Sequence, residues 1–172
     1  MKKYITLLFA ISITFFAIGQ SNNYPENDMN KFRFMVGIWK GNGWIMEGNT
    51  KQFFKETESV TNKFHDTIIQ IEAFGVNKND TTKIINDALG LLILNEKKPK
   101  LHIYQADGSF SIAEVKLIAV NEIEWSLTIS DSLKIKYIIK VDGNKWLETG
   151  FKSVDNGVSW KQTFEMTLLK SE

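Results

Sequence analysis

From Gly37 to Leu169 the chain is a succession of about ten short apolar segments, each bounded by turn residues. They run over 37–47, 51–61, 67–76, 85–95, 100–106, 110–118, 122–129, 134–141, 144–153 and 157–169, and they are rich in Ile, Val, Phe, Trp and Thr. Several alternate apolar with polar residues, the period of a strand with one buried face, and no helical period of useful length interrupts them. Strands this evenly spaced, joined by short turns, indicate a meander. A meander this long either closes into a barrel or folds into a sandwich. The expected fold is all-β: a closed antiparallel up-and-down β-barrel of about ten strands, covering 37–172, with a short helical lead-in at its N-terminal end.

The residues before the strands divide in two. Lys2 and Lys3 form a positive start, Tyr4 to Phe16 is almost uninterruptedly apolar, and Ala17-Ile18-Gly19 ends the run on small residues. This is the pattern of a secretory signal peptide over 1–19, cut before Gln20, so the protein is expected to be exported, to a periplasm or outside the cell. The apolar run is short for a membrane span. The segment 20–36 reads as a lead-in, with Asp28 capping a brief helix over Met29 to Met35.

The sequence contains no cysteine. Export therefore brings no disulfides, and thiol catalysis, thiolate metal sites and a lipidated cysteine are excluded. Without the leader, 172 − 19 = 153 residues remain, enough for one domain with a real core. Loss of Lys2 and Lys3 takes Lys+Arg from 21 to 19 against 20 acidic residues. Such a near-neutral chain, with no basic stripe and no polybasic cluster, points away from nucleic acid and from membrane insertion after signal cleavage. The dense basic run at Lys97-Lys98-Pro99-Lys100 reads as a solvated hairpin loop.

Turn chemistry predicts which residues share a face. A two-residue Gly48-Asn49 hairpin puts Trp39, Gly41, Gly43 and Ile45 opposite Glu58, Glu56, Phe54 and Gln52. A two-residue hairpin on Asp107-Gly108 puts His102 and Tyr104 on the face of Ala113 and Ser111. One on Asp142-Gly143 sets Ile139, Tyr137 and Ile135 against Trp146, Glu148 and Gly150. A three-residue loop at Asp155-Asn156-Gly157 sets Glu148 opposite Phe164 and Gly150 opposite Gln162. Three apolar sets must face inward: Ile123, Trp125, Leu127 and Ile129; Ile135, Tyr137, Ile139 and Val141; Trp160, Phe164, Met166 and Leu168. Small residues on the inner faces, among them Gly41, Gly43, Gly75 and Gly150, either permit coiling or leave room.

At Gly37-Ile38-Trp39 the sequence resembles the calycins: lipocalins, fatty-acid-binding proteins and nitrobindin-like barrels. Phe34 to Gly43, Trp146-Leu147-Glu148 and Phe164 to Leu168 are similar to lipocalin-like secreted bacterial proteins of unknown function. The resemblance implies a barrel of about ten strands with Gly37 and Trp39 packed at its closed end. In nitrobindin-like haem proteins the iron-ligating histidine comes late in the chain, and no histidine follows His102 here. No cofactor is expected by that arrangement, which leaves His102 and Tyr104 as the residues able to ligate iron.

The inward polar set is Glu56, Glu58, His102, Tyr104, Tyr137, Glu148 and Gln162. It reads in three ways. It orients a small apolar or amphipathic ligand in the barrel interior. It is an internal hydrogen-bond network that fixes the core. Or the register slips at a bulge and the glutamates meet solvent. A buried Glu148 is expected either to meet His102, a tyrosine or water, or to hold its proton. No metal site and no catalytic signature is present: Gly-x-Ser-x-Gly, His-Glu-x-x-His, a P-loop and a calcium loop are all missing. The leading functional expectation is thus a binding barrel. The alternatives are a filled barrel acting through an outer patch of Trp44, Met46 and Phe53, or an acid–base enzyme using the inward Glu, His and Tyr. His65-Asp66 reads as a turn pair, and Asn79-Asp80-Thr81 matches a glycosylation sequon.

Overall fold

The computed structural model describes residues 28–95 and 98–171. The expected leader, and the lead-in up to residue 27, lie outside the described residues. Ten strands follow one another: β1 (Gly37–Glu47), β2 (Thr50–Lys63), β3 (Ile68–Asn77), β4 (Ile84–Asn95), β5 (Lys98–Gln105), β6 (Phe110–Ala119), β7 (Glu122–Thr128), β8 (Lys134–Asp142), β9 (Lys145–Ser153) and β10 (Lys161–Ser171). Each pairs antiparallel with the next, and β1 pairs with β10 to close the barrel. Closure gives every strand two partners, so no row of backbone N–H and C=O groups is left as an edge.

Asp28–Met35 forms a 3₁₀ helix. Met29, Phe32 and Met35 recur every third residue, the period of that helix, so they share one face. All three are buried in the core together with Trp39 and Trp146. The Trp39 indole Nε1 donates to the Met35 carbonyl at 2.7 Å, and its ring lies 5.6 Å from that of Trp146. Arg33 pairs with Asp66 in the β2–β3 turn. The helix is thus pinned against the end of the barrel that holds Trp39, and Trp39 itself has no solvent exposure. Burying each of these large side chains contributes roughly 1.5–3 kcal/mol.

The register of β1 on β2 follows the turn chemistry: Trp39, Gly41, Gly43 and Ile45 pair with Glu58, Glu56, Phe54 and Gln52. Elsewhere the pairing differs from expectation. The β8–β9 loop is Gly143-Asn144, closed by Asp142 and Lys145, so Ile139 faces Glu148 and Tyr137 faces Gly150. That is a shift of two residues, which keeps every side chain on its face. In β9–β10 a bulge lies between Gln162 and Phe164, after which Gly150 pairs with Phe164 and Glu148 with Met166. Strand β10 begins only at Lys161, so Trp160 is not an inward residue; its indole donates to the Gly157 carbonyl and Lys136 sits over its ring. Ile129 lies past the end of β7 and is exposed. Lys98 and Lys100 lie on β5 rather than in a loop, and Lys100 pairs with Glu114 on β6.

Candidate functional site

The inward residues of the ten strands do not fill the barrel. They leave a cavity of about 350 Å³. Its wall is mostly apolar and aromatic: Phe54 and Phe164 stack at 5.6 Å, and Trp125 and Tyr137 stack at 4.2 Å with their planes only 8° apart. Into this wall β2 projects Glu56 and Glu58, two residues apart and therefore on one face, and β9 projects Glu148. All three carboxylates are buried, with 4%, 6% and 6% of their surface exposed.

Each is held differently. Glu56 accepts a hydrogen bond from Asn86 Nδ2 at 2.9 Å. Burial pushes its carboxyl up from 4.5 to about 7, with the Asn86 bond pulling back. Glu148 accepts from two indoles, Trp125 Nε1 at 3.2 Å and Trp146 Nε1 at 3.3 Å. Burial lifts it to about 7 as well, opposed by those two donors and aided by the charge of Glu56. Glu58 has the poorest solvation. Its Oε2 is buried and has no hydrogen-bond partner among the described residues. Burial, then the charges of Glu148 and Glu56, raise it well above the usual carboxylate range. Burial and the Glu148 charge likewise push the Tyr137 hydroxyl up to about 12. Burial in a mostly apolar wall and like charges both disfavour ionisation, so these groups tend to hold their protons.

Four of the expected inward polar residues therefore face the cavity: Glu56, Glu58, Tyr137 and Glu148. The other three do not. His102 pairs with Ile112 and Tyr104 with Phe110, while Leu101 and Ile103 take the inward positions opposite Ala113 and Ser111. The cause is the β5–β6 turn. Gln105 and Ser109 close it, leaving three loop residues with Gly108 in the left-handed region at φ 83°, rather than the two expected. One extra loop residue turns the whole of β5 over. Tyr104 packs on Phe110 at 4.8 Å on the outer surface. Gln162 pairs with Phe151 before the β10 bulge and bonds to Glu165, which also removes it from the interior. A haem or other iron ligand inside the barrel cannot come from His102 or Tyr104 in this arrangement. Among the described residues no group of three His, Cys, Asp or Glu is placed to hold a metal ion.

Three side chains complete the site in roles not expected from the sequence. Asn86 is the partner of Glu56, and Trp125 and Trp146, expected only as inward apolar residues, are donors to Glu148. A buried tryptophan needs an acceptor for its N–H, and that requirement was the available signal. Trp44 faces outward as expected, beside Phe53 and Glu165, with Lys51 Nζ 3.5 Å above its ring. His65-Asp66 lies in a turn, and Asn79-Asp80-Thr81 is exposed between β3 and β4.

No protein-family model and no curated protein matches the sequence. Among solved structures the likeness is clear. The barrel is similar to that of Rv2717c from M. tuberculosis. The crystal structure of Rv2717c matches with a TM-score of 0.62 at 11% identity, over 84% of this chain and 97% of that one. A match over those shares takes in the barrel as a whole rather than one hairpin of it. At this identity the likeness to Rv2717c is one of fold.

Proposed function

We propose that this chain is an exported, calycin-like barrel that binds a small apolar or amphipathic molecule in its interior. The observation that carries the reading is the cavity of about 350 Å³, apolar and aromatic in its wall, on which a few buried polar groups converge. Small-molecule sites have this composition and start at about this size. The cavity favours binding over a filled barrel that acts through its surface. The outward placement of His102 takes away the histidine that an acid–base reaction among the inward glutamates would have used. The calycin assignment is supported by the position of Gly37-Ile38-Trp39 at the start of β1, with Trp39 buried beneath the 3₁₀ helix at the closed end.

Native mass spectrometry of the purified protein tests the binding reading, joined to thermal unfolding with a panel of small amphiphiles of different headgroup. A co-purifying molecule, or stabilisation by one class of the panel, is expected. A protein that retains nothing and is stabilised by none of them would sink the reading. Export is tested separately, by locating the protein in cell fractions and sequencing its N-terminus, expected at Gln20.

A further inference from the structure

The polar groups of the cavity are unbalanced in one direction. Three carboxylates line it, from Glu56 and Glu58 on β2 and Glu148 on β9, and among the described residues no Lys, Arg or His lines it. Among the described residues its other titratable group is Tyr137 on β8, and the remaining strands contribute apolar, indole, amide or hydroxyl side chains to the wall. Buried carboxylates are ordinarily matched by a cation or by enough donors to satisfy their oxygens. Glu148 has two indole donors and Glu56 has one amide donor, but the buried Oε2 of Glu58 has none among the described residues. Glu58 lines the cavity, and its buried Oε2 lacks a donor that a ligand seated there would supply.

Resting on the binding reading above, we infer that the molecule held in the barrel is an organic cation, an amphiphile with an ammonium headgroup and an apolar body, whose N–H groups meet Glu58 while the flanking carboxylates balance its charge. A metal ion fits less well, because the acidic groups do not converge on one point. They are spread around the wall, as a headgroup larger than a bare ion requires. The aromatic faces add to the selection, since ring faces attract ammonium groups and also pack on an alkyl or aryl body. An anionic amphiphile such as a fatty acid would set its carboxylate among three acids with no counter-charge. Burial favours the protonated, neutral form of these acids, and a bound cation would draw them back to the ionised form.

The test compares three amphiphiles with one tail and three heads: octylammonium, octanol and octanoate. Each is titrated into the full purified protein at pH 8 and followed by calorimetry and by thermal unfolding. Octylammonium is expected to bind at least tenfold more tightly than either of the others. Its affinity is expected to fall by at least tenfold at pH 5, where the acids are protonated while the amine remains charged. Glu58→Gln is expected to lose the preference for octylammonium, binding it no more tightly than octanol, while cooperative thermal unfolding shows that the variant is folded. Equal or tighter binding of octanol or octanoate would overturn the cationic assignment and leave the binding reading standing. Binding of none of the three, by either measurement and at either pH, would overturn both.

Discussion

Gly75 stands where any side chain would collide with the carboxylate of Glu56: a Cβ built on Gly75 would lie 2.0 Å from Glu56 Oε2. The two residues pair directly across β2 and β3, so a side chain on Gly75 is admitted only if the Glu56 carboxylate swings away from its place beside Asn86. The inward glycine is therefore the space in which a buried acid is seated against Asn86. Gly75→Ala is expected to destabilise the barrel by about 1–3 kcal/mol, the usual cost of overpacking. It should also break the Asn86 bond by displacing Glu56. Urea unfolding checks the first and a crystal structure of the variant the second. A variant as stable as the wild type would show that the wall yields there.

Stability should fall as pH rises toward neutrality. Glu56 and Glu148 have folded-state values of about 7 against an ordinary 4.5. The folded protein thus binds more protons than the unfolded chain between those values. Their contribution is fully present below 4.5 and is lost as pH rises through about 7. Each shift corresponds to roughly 3 kcal/mol. Glu58 is shifted in the same sense. Asp155 acts oppositely and in a lower window: its bonds with Ser159 and Ser153 hold it down to about 2, so its contribution is lost as pH falls. Urea midpoints at pH 5 and pH 8 decide the matter, with the lower midpoint expected at pH 8. Glu148→Gln should flatten the dependence.

The two indoles on Glu148 offer an optical readout of its proton. Tryptophan fluorescence is expected to change with a midpoint near 7, and Glu148→Gln should abolish that transition. Trp125→Phe removes one donor, so the midpoint should move upward and stability should drop by about 1–2 kcal/mol. An unchanged midpoint in Trp125→Phe would mean that the 3.2 Å contact does not restrain the carboxylate.

Ser153 closes the loop before β10. Its buried hydroxyl accepts from the Gly157 N–H at 2.8 Å and donates to Asp155 Oδ1 at 2.7 Å. Ser153→Ala leaves the Gly157 donor without that acceptor, and about 1–2 kcal/mol of stability should be lost. Faster hydrogen exchange confined to the 153–160 segment would locate the effect.

Most of the barrel was legible in the sequence because strand alternation and turn chemistry are local signals. The Gly48-Asn49 hairpin fixed Glu56 and Glu58 on the inner face at once, and Trp39 with them. The two errors around Glu148 did no harm, because a displacement of two residues preserves the face. The errors at His102, Tyr104 and Gln162 came from odd displacements: one extra residue in the Gly108 turn and one in the β10 bulge. Neither leaves a sign in composition. Asp107-Gly108 suits a loop of two or of three residues, and β5 carries bulky residues on both faces, so burial preference could not decide between them. The cavity was beyond reach for another reason. Whether inward glycines leave room or are filled by neighbours depends on side chains from three strands meeting at one place, as at Gly150, where a Cβ would fall 2.5 Å from the Tyr137 ring.

Nine of the ten strand pairings join consecutive strands, and the tenth joins the first to the last, Ile38 to Ser171. Hairpins between neighbours assemble over short loops, whereas that final seam has to bring together segments more than a hundred residues apart, the slow kind of contact. During synthesis, β1 and β9 would both present bare backbone until β10 arrives to satisfy them. A chain cut short before Lys161 would keep those two open rims permanently, and the natural partner for an open rim is another copy of the same truncated chain. The last strand is therefore what separates a self-contained protein from one prone to aggregate.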